Sequence, residues 1–94
     1  MGVSQVRASH ILVNTEQEAN DILAQLKAGK KFSDLARQFS SCPSGKAGGD
    51  LGFFGRGQMV PKFEDAAFSM KKGQTSPPVR TAFGYHIIMV TDTK

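Results

Sequence analysis

The chain has 94 residues, with 12 Lys and Arg against 8 Asp and Glu, a formal net charge of +4 and a pI near 9.5. That length holds one small domain, residues 1–94, whose 39% hydrophobic and 21% charged content is ordinary for a globular protein. A single cysteine excludes an internal disulfide and every zinc motif built on paired cysteines, and the two histidines lie too far from it in sequence for a local ligand set, so no metal or other cofactor is expected.

In chain order, residues 5–13, QVRASHILV, alternate in character. A strand there puts Val6, Ala8, His10 and Leu12 on one face and Arg7, Ser9, Ile11 and Val13 on the other. Its far end is apolar on both sides, so burial on both sides is expected. Thr15-Glu16-Gln17-Glu18 fits a capping box and opens a helix with the stripe Ala19, Ile22, Leu23 and Leu26. Gly29 stops it. A second stripe, Phe32, Leu35, Ala36 and Phe39, follows closely, so the two helices pack as a corner against one sheet face. Residues 40–49 read as a loop rich in Ser, Pro and Gly, residues 50–54 as a short strand, and Gly55-Arg56-Gly57 as its turn. Pro61 suits the first turn of a third helix carrying Phe63, Ala66, Ala67 and Met70, which Lys71-Lys72-Gly73 ends. Ser76-Pro77-Pro78-Val79-Arg80 is extended, because each proline drives its predecessor out of the α region. Phe83-Gly84 turns the chain into a last strand over residues 85–91. The order βαα-loop-βα-ββ is that of an α+β fold with an antiparallel or mixed sheet.

No apolar run approaches the length of a membrane helix, so membrane insertion is not expected. The first residues lack the basic-then-apolar profile of a secretory signal, which points to a cytoplasmic location. The basic residues are dispersed or sit at helix ends, as Lys27, Lys30, Lys31, Lys71 and Lys72 do, where cations complement the helix dipole. No nucleic-acid motif accompanies them, so no specific nucleic-acid partner is expected, and a monomer is the default state.

Three polar residues stand out. His10 and His86 each lie inside an apolar strand, where a titratable ring is costly unless hydrogen-bonded. If the first and last strands pair, the two imidazoles could share a hydrogen bond and fix each other's tautomers. Cys42 lies in a polar loop, which favours partial exposure near a site. A Cys–His thiol hydrolase is one reading of it, but no Asn or Asp is obviously placed to orient a base. Ser44-Gly45-Lys46 is not a phosphate loop, because Ser40 and Ala47 stand where that motif needs a glycine and a hydroxyl residue. Around the loop, Leu51, Phe53, Phe54, Met59 and Phe63 exceed what a strand this short can bury, so part of the set lines an apolar pocket.

Together ASHILV around His10, GGDLGFFGRGQMVPKFEDAAF and TAFGYHIIMV around His86 resemble the parvulin family of peptidyl-prolyl cis/trans isomerases, over nearly the whole chain. The resemblance implies the parvulin-like (FKBP-like) fold, a four-stranded antiparallel sheet surrounded by helices. It implies that His10 and His86 form the family's central histidine pair, that Thr81 hydrogen-bonds it, and that Cys42 occupies a loop position that is aspartate in other members. It assigns Leu51, Met59 and Phe63 to the pocket for the substrate proline, Phe83 to its rim, and Gln58 to a backbone contact with substrate. The activity implied is isomerisation of X-Pro bonds in proline-containing polypeptides, assisting their folding, without covalent catalysis. A clamp that binds such segments without turnover is the alternative. The basic loop of phosphate-directed members is missing, since Val13 passes through Asn14 directly to the helix cap at Thr15; a preference for phosphorylated substrates is not expected.

Overall fold

The computed structural model describes residues 3–94. Its first and last strands, β1 (Val6–Val13) and β4 (Gly84–Thr93), pair antiparallel along their length, from Val6 opposite Thr93 to Val13 opposite Tyr85. β2 (Asp50–Phe54) pairs with the free edge of β1, and β3 (Val79–Thr81) with the free edge of β4, both antiparallel. The sheet order is β2-β1-β4-β3. Three helices complete the fold: α1 (Glu16–Lys27), α2 (Phe32–Phe39) and α3 (Pro61–Ser69). The four-stranded antiparallel sheet and the element order agree with the sequence reading.

The two-residue alternation of the central strands sends their side chains to opposite faces, and each face has its own core. On one face Ile11, Val13 and Ile87 pack against Ala19 and Ile22 of α1 and Phe32, Leu35 and Ala36 of α2. On the other, Val6, Ala8, Ile88 and Val90 pack with Phe54 and with Phe63 and Ala67 of α3. The corner of two helices on one sheet face is therefore as expected. Burying each large aliphatic side chain contributes about 1.5–3 kcal/mol. The double-sided burial of the far end of β1 is also present, with Ile11 and Val13 buried on one side and His10 buried on the other.

Local signals account for the helix ends. The Thr15 hydroxyl accepts from the Glu18 amide at 3.2 Å and donates to the Glu18 carboxylate at 3.0 Å, a variant of the capping box. Gly29, at φ 101°, takes the left-handed conformation that ends α1.

Four details differ from the sequence reading. The loop 40–49 contains a 3-10 turn over Pro43–Ala47. Phe39, the last residue of α2, is 41% exposed, in a shallow groove it shares with Val13 and Ile22. α3 stops at Ser69, where Met70 turns extended, so Lys71, Lys72 and Gly73 lie past its end. Gly73 instead turns the chain back onto β4, its amide donating to the Val90 carbonyl at 2.7 Å. β4 also runs longer than expected, to Thr93, because β1 offers it partners as far as Val6. Thr75 bridges to Met89 before Pro77 and Pro78 interrupt this edge and β3 resumes it, as befits prolines on an edge strand.

Candidate active site

β2 pairs with only the first part of β1, as far as Ser9 opposite Asp50. Beyond that point the loop 40–49 takes over the edge. The His10 amide donates to the Gly49 carbonyl at 2.9 Å, the Ser41 amide to the Leu12 carbonyl at 2.8 Å, and the Leu12 amide to the Ser40 hydroxyl at 3.1 Å. Gly49 sits at φ 86°, and a Cβ there would collide with the His10 carbonyl, so only glycine lets the loop close this tightly. This docking carries Cys42 and Ser44 to the His10 ring.

His10 lies opposite Ile88, and His86 opposite Leu12, so the two histidines are diagonal neighbours on the α3 face. Their Nδ1 atoms are 3.0 Å apart, with ring centroids at 5.2 Å and planes within 18°. Phe63 stands edge-on to both rings, at 5.5 Å from His10 and 5.3 Å from His86. The outer nitrogens are also occupied. His86 Nε2 is 2.7 Å from Thr81 Oγ1, which accepts from the Phe83 amide at 3.2 Å. His10 Nε2 is 3.2 Å from Ser44 Oγ, and the Ser44 hydroxyl donates to Cys42 Sγ at 3.2 Å. The chain Thr81–His86–His10–Ser44–Cys42 is thus continuous. Among the described residues no buried polar side-chain atom lacks a partner.

Facing Nδ1 atoms constrain the charge. One must carry a proton and the other accept it, so the accepting ring is neutral and at most one of the two can be charged. Burial pushes the His10 imidazole down from 6.5 to about 4, with the neighbouring His86 adding to the shift, and burial lowers His86 as well. The two residues as a whole are 5% and 4% exposed.

Beside the pair opens a cavity of about 500 Å³. His10, His86 and Cys42 line it, as do Leu51, Gln58, Met59, Phe63 and Phe83. Every residue assigned from the resemblance therefore lines the cavity except Thr81, which touches it only through His86. Phe63 is buried and forms a wall; Phe83 is 68% exposed and stands at the mouth. Met59 is half-buried. Gln58 is exposed and its side-chain carbonyl accepts from the Gly55 amide at 2.6 Å, which fixes the turn leading into α3. Ser44, Leu12, Ser41, Pro43 and Val60 complete the site and were not singled out from sequence for it. Ser44 is the important omission. Its position two residues after Cys42 was visible, but only the folded loop shows that it bridges to His10. Among the described residues no group of three or more His, Cys, Asp or Glu side chains could hold a metal ion.

Residues 8–92 match the family model described as Rotamase, a PPIC-type PPIase domain. The chain belongs to that family. The PPIC-type domain is 54% identical over 91 residues to the foldase protein PrsA of Halalkalibacterium halodurans, covering 96% of this chain and 27% of that protein. It is 55% identical over 89 residues to the PrsA foldase of a Geobacillus strain, covering 94% of this chain and 32% of the relative. It therefore spans about a third or less of the curated relatives it matches. Among solved structures, the parvulin of Nitrosopumilus maritimus superposes with a TM-score of 0.88 at 43% identity, covering 98% of this chain and all of that one. PrsA from Bacillus anthracis superposes with a TM-score of 0.95 at 47% identity, covering 98% of this chain and 43% of the other. The parvulin-like fold expected from the residues around His10, Met59 and His86 is thereby established.

Proposed function

We propose that this domain catalyses cis/trans rotation about X-Pro bonds in unfolded or flexible polypeptides, without forming a bond to them and without requiring a phosphate. One observation carries the reading: an apolar cavity of about 500 Å³, walled by Leu51, Met59 and Phe63, opens directly onto a buried, neutral histidine pair. The barrier to rotation is about 18–20 kcal/mol, and each ~1.4 kcal/mol removed raises the rate tenfold. A planar amide owes much of its polarity to resonance, which the twisted transition state loses. A dry pocket that holds the proline ring therefore disfavours the planar state relative to the twisted one. Tied at both outer nitrogens, the imidazoles form a rigid polar floor that does not rearrange as the carbonyl swings past.

Cys42 acts through this network. Ser44 stands between its sulfur and His10, and the two Nδ1 atoms are committed to each other, so no base is placed to take the thiol proton directly. The lack of phosphate preference is supported by the segment after Leu12, where Asn14 and the cap at Thr15 lead into Glu16 and Glu18 in place of a cationic loop. The proposal includes a monomeric state, tested by sedimentation of the purified domain. A cytoplasmic location remains part of the proposal, tested by fractionation of expressing cells.

A protease-free isomerisation assay on X-Pro peptides, with X apolar, Arg, Glu or phosphoserine, tests the function. Turnover of the unphosphorylated peptides is expected, and Met59→Ala should lower kcat/KM by about tenfold while stability changes by less than about 1 kcal/mol. Binding without turnover would favour a clamp for proline-containing segments. A strong preference for phosphoserine would overturn the phosphate-independent reading.

A further inference from the structure

Two further grooves open from the proline pocket. One shares Ser41, Cys42 and Pro43 with it, encloses about 320 Å³ and carries Arg37 and Lys46. The other shares Val60, encloses about 620 Å³ and carries Lys62 and Arg80. The first belongs to the loop docked at His10, the second to the start of α3 and the end of β3, where Thr81 holds His86. They therefore flank the pocket on its two histidine sides.

The sign of the charge along this path is uniform. Among the described residues no Asp or Glu lines the pocket or either groove, although the chain contains 8 such residues. Elsewhere on the surface the cavities do carry carboxylates, Asp50 behind the sheet and Glu18 and Asp21 beside α1. Two of the four cations are engaged. Arg37 lies 3.3 Å from Asp34, and Arg80 sits 6.0 Å from the Tyr85 ring centroid. Lys46 and Lys62 are exposed and make no ion pair among the described residues, so their charge is available to whatever crosses the groove.

An extended chain advances at most about 3.3–3.6 Å per residue, so side chains two or three residues from a bound proline lie roughly 7–10 Å along it, beyond the pocket itself. We infer that the preferred substrates are acidic segments, with carboxylate side chains two or three residues to either side of the proline, read by Lys46 on one flank and Lys62 on the other. This rests on the isomerase reading of the pocket and adds a substrate class to it. Exposed charge pairs are individually weak and screened by salt, so the effect per flank is a rate factor of roughly two to five at low ionic strength.

The test is exchange NMR on a host peptide with a central Ala-Pro bond and Glu, Gln or Lys placed two or three residues before or after it, at low and high salt. The Gln peptide reports on isomerisation alone. Expected are higher kcat/KM for Glu than for Gln and lowest for Lys, with the differences collapsing at high salt. Lys46→Glu should reverse the preference on one flank and Lys62→Glu on the other, while turnover of the Gln peptide stays unchanged in both. Equal turnover of Glu and Lys peptides at low salt would overturn the inference, as would a preference untouched by both reversals. If the Gln peptide is not turned over, the isomerase reading falls, and dissociation constants of the same peptides, measured by the same reversals, decide the charge preference.

Discussion

On one face of the paired strands β1 and β4, Ile11 and Ile87 pack among Ile22, Leu35 and the other side chains of α1 and α2; on the opposite face, His10 and His86 meet each other. All four side chains are almost completely buried, at 0%, 0%, 5% and 4% exposure. The face under α1 and α2 is held by dispersion and desolvation alone, which tolerate small shifts. The histidine face has its own apolar packing around Phe63, Ile88 and Val90, but its two imidazoles are held by hydrogen bonds whose partners must all be present at once, because an unpaired polar atom in a dry site costs more than a bond returns. One pair of strands thus carries an apolar cluster on one side and, back to back with it, a surface that combines packing with chemistry.

Substitutions that strike one face and spare the other separate these contributions. The largest effect is expected from Leu35→Ala or Ile87→Ala, each leaving a cavity worth about 2–5 kcal/mol. Urea unfolding should register that loss, while kcat/KM per folded molecule stays within about twofold; a large fall in activity at unchanged concentration of folded protein would show that the faces are coupled. On the histidine face, Thr81→Val leaves His86 Nε2 without its partner at 2.7 Å. It should cost about 1–3 kcal/mol in stability and also lower kcat/KM by about tenfold, a joint loss the helix-face variants lack.

Acid should distinguish the faces without mutation. The His10 pKa is lowered to about 4 in the folded chain against 6.5 for the free group, so between those values the unfolded state binds more protons. Stability is therefore full above about pH 6.5 and declines as pH falls toward 4, with a slope approaching about 1.4 kcal/mol per pH unit for one such group. Urea midpoints across that range would show it, and His10→Phe should flatten the decline; a midpoint independent of pH in the native chain would contradict the neutral pair. The smallest effect belongs to Phe83→Ala. At 68% exposure the ring adds little to the fold. Stability should move by no more than about 0.5 kcal/mol, and KM alone should rise, by about twofold.

How much of this was legible beforehand follows from how local each signal is. The α1 cap at Thr15, the stop at Gly29 and the start of α3 at Pro61 were readable because each is decided within a few residues. The alternation in β1 gave both faces, since a strand sorts side chains by parity alone. The end of α3 and the exposure of Phe39 were misread because they depend on where the sheet and β4 lie in space. Within the site, the strand histidines advertised themselves as polar groups in apolar runs. Ser44 did not, because a serine in a loop of serines carries no such contrast, and its role arises only when Gly49 lets the loop fold down onto His10.

The pairing at the two ends of the chain has one more consequence. The amides of Ser4 and Gln5 both donate to the Lys94 carbonyl at 2.8 Å, and the Lys94 amide returns a bond to Gln5 at 2.9 Å. Polypeptide enters and leaves through neighbouring points, at the end of β1 and β4 far from Leu12 and Phe83. The fold is a cassette: a host protein could splice it into a single surface loop, bridging a gap of a few ångströms, and the mouth of the pocket would still face outward.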